Sequence, residues 1–252
     1  MRLLALSDIH HNLLAVQKLR ASEKNSFDAI IVAGDIGSTS ASEFFKILST
    51  FKCPTLYVYG NWDHELTYKL SFGPNCHLIH SNVVQVGKLS FTGFSGCPTN
   101  WGMNPIYRKF RRRIEADNVD IIAALKNDAV SPDKIKRTKA YREYVAQRQL
   151  ANSEVLRLNR QGISDAMREA GADPQKSTII THQRLSRLSQ EFPGTLLHIF
   201  GHIHKYSDHV FRGTRYINVA ALDRSAPDVG NYATVEIDSS LEVKAKCITL
   251  PH

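Results

Sequence analysis

The stretch Arg2-Leu3-Leu4-Ala5-Leu6-Ser7-Asp8-Ile9-His10 joins an apolar run to two side chains that commonly bind metals. The run Leu3-Leu4-Ala5-Leu6 is typical of a short buried β-strand. Near-continuous apolar runs of this kind indicate strands that are covered on both faces, as in α/β proteins. The stretch therefore predicts a buried strand that delivers a carboxylate and an imidazole at its carboxyl end.

The same arrangement recurs at four later places in the chain, where an apolar run ends just before a metal-binding side chain. Ligand sites in open α/β sheets lie beyond the carboxyl ends of the strands. We therefore expect one edge of a sheet to collect seven candidate ligands. These are Asp8, His10, Asp35, Asn61, His182, His202 and His204.

Seven nitrogen and oxygen ligands are too many for one ion with an open position, and they suit two ions. A carboxylate bridges two ions through its two oxygens, and Asp35 is the candidate for that role. Mixed imidazole, carboxylate and amide ligation suits Mn, Fe, Zn, Co or Ni, and we expect two divalent ions, preferably Mn²⁺. Such a pair attracts phosphate, lowers the pKa of its bound water and clamps an in-line displacement at phosphorus.

Five motifs occur in a fixed order between residues 8 and 204. They are Asp8-x-His10, Gly34-Asp35, Gly60-Asn61-x-Asp63, His182 and Gly201-His202-x-His204. Together they resemble the calcineurin-like metallophosphoesterases. The resemblance implies an α/β fold, a four-layer αββα double β-sandwich with helices outside, and hydrolysis of phosphomonoesters or phosphodiesters.

The resemblance also implies how the ligands divide between the two ions. One ion would be held by Asp8, His10, Asp35 and His204. The other would be held by Asp35, Asn61, His182 and His202. A hydroxide that bridges the two ions would attack the phosphorus of a phosphate-ester substrate.

Trp62 departs from the family's usual motif, which is Gly-Asn-His followed by Asp or Glu; this chain has Gly-Asn-Trp-Asp. The indole N–H of Trp62 cannot act as a proton donor near neutral pH. Because a positioned general acid contributes ~10²–10⁴-fold, its loss should penalise poor leaving groups and slightly favour phosphodiesters over phosphomonoesters. His64 and His11 are nearby imidazoles that could compensate, although His64 also fits a surface position on the following turn.

Three residues are candidates for catalytic roles. Asn61 would orient the phosphoryl oxygens, and His64 would act on the substrate side. Asp63 would steady Asn61 or a histidine ligand, or cap the next helix.

Length and composition predict one domain over residues 1–252, since 252 residues that are 42% hydrophobic can bury one substantial core. The four cysteines are widely scattered, which is typical of reduced thiols in a cytoplasmic protein. Apolar runs are too short to span a membrane. The oligomeric state is not indicated.

The spacing of apolar residues predicts alternating strands and helices in the first half, with helices beginning after Asn12 and at Ser40 or Ser42. Residues 83–86 and 89–94 should form a hairpin. Four strands follow residue 205, at 209–211, 215–219, 231–237 and 241–248, and they suggest a second, antiparallel sheet.

Residues 104–172 interrupt this pattern and should form an insert or cap of two or three helices, with one helix beginning at Ser131-Pro132. Between residues 104 and 176, 16 Lys and Arg residues against 10 Asp and Glu give +6 of the chain's net charge of +8. Beside a metal site, this charge would attract phosphate-bearing substrates or polynucleotides. On a solvated helix face it would have no such role.

Two alternative functions stay open at this point. The basic insert fits a metal-dependent nuclease acting on DNA or RNA, which would bind nucleic acid with a steep salt dependence. A non-catalytic scaffold of the same fold would bind partner proteins, but that function predicts impaired ligands, whereas every ligand position is filled.

Overall fold

The structure, a computed structural model, describes residues 1–99, 101–102, 104–127, 131–219, 221–223 and 231–250. The chain forms two compact units, and each is described by itself. The first comprises Met1–Met103 and Gly162–His252, and the second comprises Asn104–Gln161.

The described residues form strands, α-helices and two short 3₁₀ helices (Ser38–Ser40 and Pro174–Lys176). The strands are β1 (Arg2–Leu6), β2 (Ala29–Ala33), β3 (Thr55–Val58), β4 (Cys76–Leu78), β5 (Val84–Val86), β6 (Leu89–Phe94), β7 (Ser177–Thr181), β8 (Leu197–Phe200), β9 (Ser207–Phe211), β10 (Thr214–Asn218), β11 (Tyr232–Ile237) and β12 (Val243–Ile248). The α-helices are α1 (Leu13–Ser22), α2 (Ala41–Ser49), α3 (Pro105–Asp117), α4 (Val119–Leu125), α5 (Pro132–Lys136), α6 (Lys139–Glu169) and α7 (Leu188–Glu191).

The strands form two six-stranded mixed sheets. The first has the order β12-β11-β1-β2-β3-β4, and the second has the order β5-β6-β7-β8-β10-β9. In the first sheet, β1 to β4 run parallel, with Leu3 opposite Ala29 and Ile31 opposite Leu56. In the second, β6, β7, β8 and β10 run parallel. The carboxyl ends of four parallel strands therefore lie at one edge of each sheet.

The strands after residue 205 do not form the antiparallel sheet of their own that we predicted, and that prediction is wrong. Strands β11 and β12 complete the first sheet, where β11 pairs antiparallel with β1. Strands β9 and β10 complete the second, where β10 pairs parallel with β8. Five of the six residues of β11 are buried, as expected for a strand with a neighbour on each side in its sheet. The spacing of strands along the sequence does not reveal which strands will be neighbours.

Two apolar layers explain why β1, β2 and β3 are buried throughout. Alternate residues on each strand point to opposite faces of the sheet. One set packs between the two sheets and includes Leu3, Ala5, Ile31, Val58, Ile180, Ile199 and Ile217. The other set packs with α1 and α2 and includes Leu4, Leu6, Ile30, Val32, Val16, Phe44 and Phe45.

The predicted local signals are confirmed at several elements. The Asn12 side chain accepts a hydrogen bond from the Ala15 N–H at 3.1 Å and caps α1. Ser40 immediately precedes α2, and Pro132 is the first residue of α5 after Ser131. Strands β5 and β6 form the expected hairpin.

The second unit holds α3, α4, α5 and part of α6, which is more than the two or three helices that we expected. Asn118 causes one additional break, because it leaves the helical conformation (φ −135°) and its side chain donates to the Ile114 carbonyl at 2.8 Å. On α3, Arg111 pairs with Glu115 at 2.7 Å and partly neutralises the basic run. Among the helices in the described part of the chain, none has the length and apolar character needed to cross a membrane.

Candidate metal centre

All seven candidate ligands meet where the carboxyl ends of the parallel strands of both sheets come together. Asp8 and His10 follow β1, Asp35 follows β2, and Asn61 follows β3. The second sheet supplies His182 after β7 and His202 and His204 after β8. The His202 N–H donates to Asp8 Oδ2 at 3.0 Å, so the two sheets are joined directly at this cluster.

Asp35 lies in the middle of the cluster. Its Oδ2 is 3.3 Å from His10 Nε2 and 3.2 Å from His182 Nε2. Its Oδ1 accepts a hydrogen bond from the Trp62 backbone N–H at 2.8 Å, which fixes the carboxylate plane. One carboxylate oxygen therefore faces an imidazole from each sheet.

Asp8 forms one side of the cluster with His10 and His204. Its Oδ1 is 3.1 Å from His204 Nε2 and 3.9 Å from His10 Nε2. Among the described residues, this buried oxygen has no hydrogen-bond partner. Because an unsatisfied buried carboxylate oxygen is costly, a cation shared with His204 and His10 would fit this position.

His182 forms the other side with Asn61 and His202. Its Nε2 is 3.0 Å from Asn61 Oδ1 and 3.2 Å from His202 Nδ1. Its Nδ1 is 2.8 Å from the Ala33 carbonyl oxygen, which requires Nδ1 to carry the proton and donate it. Nε2 then presents a lone pair to three other ligand atoms, an arrangement that a divalent ion satisfies.

Asp223 is a functional residue that our sequence reasoning missed. Its Oδ2 is 2.9 Å from His10 Nδ1, so this nitrogen donates to the carboxylate and His10 Nε2 is left with its lone pair towards the cluster. A signal was present, because Asp223 follows an apolar run that ends at Leu222, as the other carboxylates follow theirs.

The imidazole pKa values show how strongly the cluster attracts positive charge. Burial lowers the pKa of His10, but hydrogen bonds to Asp223 and Asp35 outweigh it and raise the pKa to about 9. Burial likewise lowers the pKa of His182, and the charge of Asp35 together with its hydrogen bond raises it to about 10. At neutral pH without an ion, each of these imidazoles therefore carries a second proton on Nε2, and a cation that binds there would displace it and use the lone pair.

The backbone of the cluster is strained. Ten non-glycine residues in the described part of the chain have a positive φ, and six of them lie in or beside the ligand set. These six are Asp8, His10, His11, Asp35, His202 and His204. Such conformations cost about 1–3 kcal/mol each and cluster at functional sites, because the surrounding structure must hold them in place.

Asp63 connects the two loops that carry Asp35 and Asn61. Its Oδ1 accepts from the Gly37 N–H and its Oδ2 from the Gly60 N–H, both at 2.8 Å. Burial, together with the charge of Asp35, raises the pKa of this carboxyl. The contacts therefore give Asp63 a positioning role.

The remaining predicted site residues lie at the surface. The His64 side chain is 61% exposed and forms an ion pair with Glu65 at 3.9 Å. His11 Nδ1 is 3.0 Å from the Thr39 hydroxyl. The Trp62 indole packs on His10, with ring centroids 4.7 Å apart.

The donor set and its geometry fit divalent metal ions. Two groups of side chains, Asp8-His10-His204 and Asp8-Asp35-His182, each place ligand atoms within 4.8 Å of one another. All of the donors are nitrogen or oxygen, as borderline divalent metals prefer.

Comparison with known proteins agrees with this geometry. The model of the calcineurin-like phosphoesterase superfamily domain matches residues 1–240. The structure of TT1561 of Thermus thermophilus is similar with a TM-score of 0.55 and 13% identity, over 98% of each chain. A novel archaeal phosphodiesterase gives a TM-score of 0.49 and 11% identity, over 98% of this chain and all of that one, a similarity too low to bear on function. No curated protein is significantly similar in sequence.

The family match covers nearly the whole chain, and the two mixed sheets with flanking helices have the expected double-sandwich architecture. The predicted resemblance and fold class are therefore confirmed. The chain belongs to the calcineurin-like phosphoesterase superfamily and is a metallophosphoesterase, a hydrolase of phosphoric ester bonds.

Proposed function

We propose that this enzyme is a two-metal phosphodiesterase. Asp8, His10, Asp35 and His204 hold one ion, and Asp35, Asn61, His182 and His202 hold the other. The observation that carries the proposal is the position of Asp35 Oδ2, which is 3.3 Å from His10 Nε2 and 3.2 Å from His182 Nε2. A carboxylate placed between two sets of lone pairs is suited to bridge two cations.

When bound, divalent ions at these ligands would supply positive charge to the phosphoryl oxygens and lower the pKa of water. The protein's own side chains position the phosphate and the ligands. Asn61 orients the phosphate, Asp63 holds the Asp35 and Asn61 loops together, and Asp223 fixes the His10 tautomer. We propose Mn²⁺ for both ions, since the ligands mix imidazole, carboxylate and amide.

The proposed preference for diesters is supported by the Gly60-Asn61-Trp62-Asp63 motif, and we propose that the enzyme belongs to a subgroup without the usual histidine. Trp62 has an N–H that stays protonated at neutral pH, so it cannot protonate a leaving oxygen. His64 and His11 remain candidates for a substrate-side acid, and the exposed position of His64 leaves it accessible to a bound ester.

We also propose that residues 1–252 make one catalytic domain, with the helices around 104–172 as an insert. The four cysteines at positions 53, 76, 97 and 247 form no disulfide with one another, which supports a cytoplasmic location.

The test is metal-dependent turnover by metal-stripped protein. We expect Mn²⁺ to restore hydrolysis of bis(4-nitrophenyl) phosphate and to restore hydrolysis of 4-nitrophenyl phosphate less well. Rates should fall steeply as the leaving group becomes poorer, because a missing acid costs ~10²–10⁴-fold. Failure of Mn²⁺, Fe²⁺, Zn²⁺, Co²⁺ and Ni²⁺ to support any turnover would contradict the proposal. Equal rates on good and poor leaving groups that become unequal in His64→Ala would assign the acid to His64.

A further inference from the structure

The chain has two tryptophans in very different surroundings. Trp101 is 1% exposed and belongs to the core, whereas Trp62 is 48% exposed. Trp62 adjoins the candidate ligand Asn61 in sequence. Ile203, which is 61% exposed, lies between the candidate ligands His202 and His204. Large apolar side chains are therefore left open to solvent beside the ligand cluster, where exposed apolar surface commonly marks a binding site.

The position of Trp62 is fixed by the cluster itself. Its backbone N–H donates to Asp35 Oδ1 at 2.8 Å, and its carbonyl accepts from the Ser38 hydroxyl at 3.3 Å. Its indole lies against the His10 ring, with centroids 4.7 Å apart and planes inclined by 35°. The centroid of the His11 ring is 6.4 Å from that of the indole, with planes inclined by 67°. The indole thus contacts the His10 ring, and its backbone is hydrogen-bonded on both sides of the peptide, so the ring is held in place before any substrate arrives.

We propose that Trp62 is the platform on which a planar aromatic group of the substrate stacks, so that the enzyme's substrates are phosphoesters that carry such a group, as nucleotides do. The inference rests on the proposed function, because it requires that phosphate binds at the ligand cluster. A substituent on that phosphate meets the indole next to His10. Stacking of a base on an aromatic side chain contributes about 1–3 kcal/mol, and a preorganised ring loses little entropy on binding.

The aromatic group is better supported than an alkyl chain because of the ring geometry. An indole supported by His10 and His11 presents a flat surface, and its N–H adds a donor for a polar ring substituent. Trp62 then accounts for two properties at once. It replaces the usual histidine, and it supplies a binding surface for the ester group that stays on the phosphate.

The kinetic test uses two esters with the same leaving group, bis(4-nitrophenyl) phosphate and ethyl 4-nitrophenyl phosphate. We expect the ratio of their kcat/KM values, aryl over ethyl, to fall about 5–100-fold in Trp62→Leu, the range that the loss of one stacked ring implies. Trp62→Phe should retain most of the ratio. Leu150→Ala is the matched control, since Leu150 is an exposed apolar side chain (72%) in the helical unit, and it should leave the ratio unchanged. An unchanged ratio in Trp62→Leu would overturn the inference.

A binding measurement separates this inference from the proposed function. In the Zn²⁺-loaded protein, adenosine 5′-monophosphate should quench tryptophan emission, whereas ribose 5-phosphate should not. The quenching should be lost in Trp62→Leu, which retains only buried Trp101. Quenching by both ligands or by neither would overturn the inference. If no ester is hydrolysed by the wild-type protein, the proposed function fails and the fluorescence titration still decides whether Trp62 stacks with an aromatic ring.

Discussion

Asp35→Asn is expected to abolish metal-dependent hydrolysis, lowering kcat/KM by about 10³-fold or more, while the protein stays folded. The variant loses the carboxylate that we propose as the bridge between the two ions, so metal binding weakens. The charge stabilisation that the ions would give the reacting phosphate is several kcal/mol, and about 4 kcal/mol corresponds to that factor. Stability should be retained for a specific reason. The Asp35 charge is the main cause that raises the pKa of His182, so its removal leaves this buried imidazole neutral. An amide N–H in place of Asp35 Oδ2 can then donate to His182 Nε2, at 3.2 Å.

Two quantities are therefore measured. They are the turnover of bis(4-nitrophenyl) phosphate with Mn²⁺ and the thermal unfolding temperature of the metal-free protein. Asp117→Asn is the matched control, because this exposed aspartate pairs only loosely with Arg113, at 3.9 Å in the helical unit. Activity that survives in Asp35→Asn would place the hydrolysis at another site or in a contaminant.

Gly201→Ala is expected to lower the free energy of unfolding by about 3 kcal/mol and to abolish tight Mn²⁺ binding. A Cβ at this position would lie 1.8 Å from Ser7 Oγ and 2.6 Å from Asp8 Oδ2. Rotation of the Ser7 hydroxyl cannot relieve these contacts, because the added Cβ would also lie 2.6 Å from Ser7 Cβ. Either β8 moves away from β1 or the Asp8 carboxylate is displaced. Because the His202 N–H donates to that same carboxylate oxygen at 3.0 Å, the displacement would reach the ligands of both sheets.

Gly162→Ala is the control for this variant. Its added Cβ would approach only the Ser81 side chain, with Oγ at 2.6 Å, and a serine hydroxyl can rotate away. Chemical denaturation and Mn²⁺ titration of the two variants should therefore differ clearly. Equal stability and equal Mn²⁺ affinity in Gly201→Ala and the wild type would contradict the close packing of β8 against β1.

Much of the fold was predictable because its central strands are buried on both faces and are therefore apolar at every position. The runs before Asp8, Asp35 and Asn61 indicated β1, β2 and β3 correctly. Polar ligand residues directly after such runs also indicated which end of the sheet carries the chemistry, since parallel strands end at the same edge. Asn12 also predicted the start of α1, because a helix cap depends on residues that are close in the sequence.

What could not be predicted depends on contacts between distant segments. Pairing of β11 with β1 joins residues more than 200 positions apart, and strand patterns do not specify partners. The hydrogen bond between Asp223 and His10 also joins residues that are far apart in the sequence, so it could not be predicted either. Asp63 was expected to steady Asn61 or a histidine, or to cap a helix. Its contacts with the Gly37 and Gly60 N–H groups, which hold two loops together, become visible only in the folded chain.

Anomalous diffraction from crystals grown with Mn²⁺ would show whether two ions bind at the cluster. We expect two manganese peaks roughly 3.5–4 Å apart, with Asp35 Oδ2 between them, His10 and His204 bound to one and His182 and His202 bound to the other. A single peak, or peaks that Asp35 does not contact, would contradict the two-metal assignment.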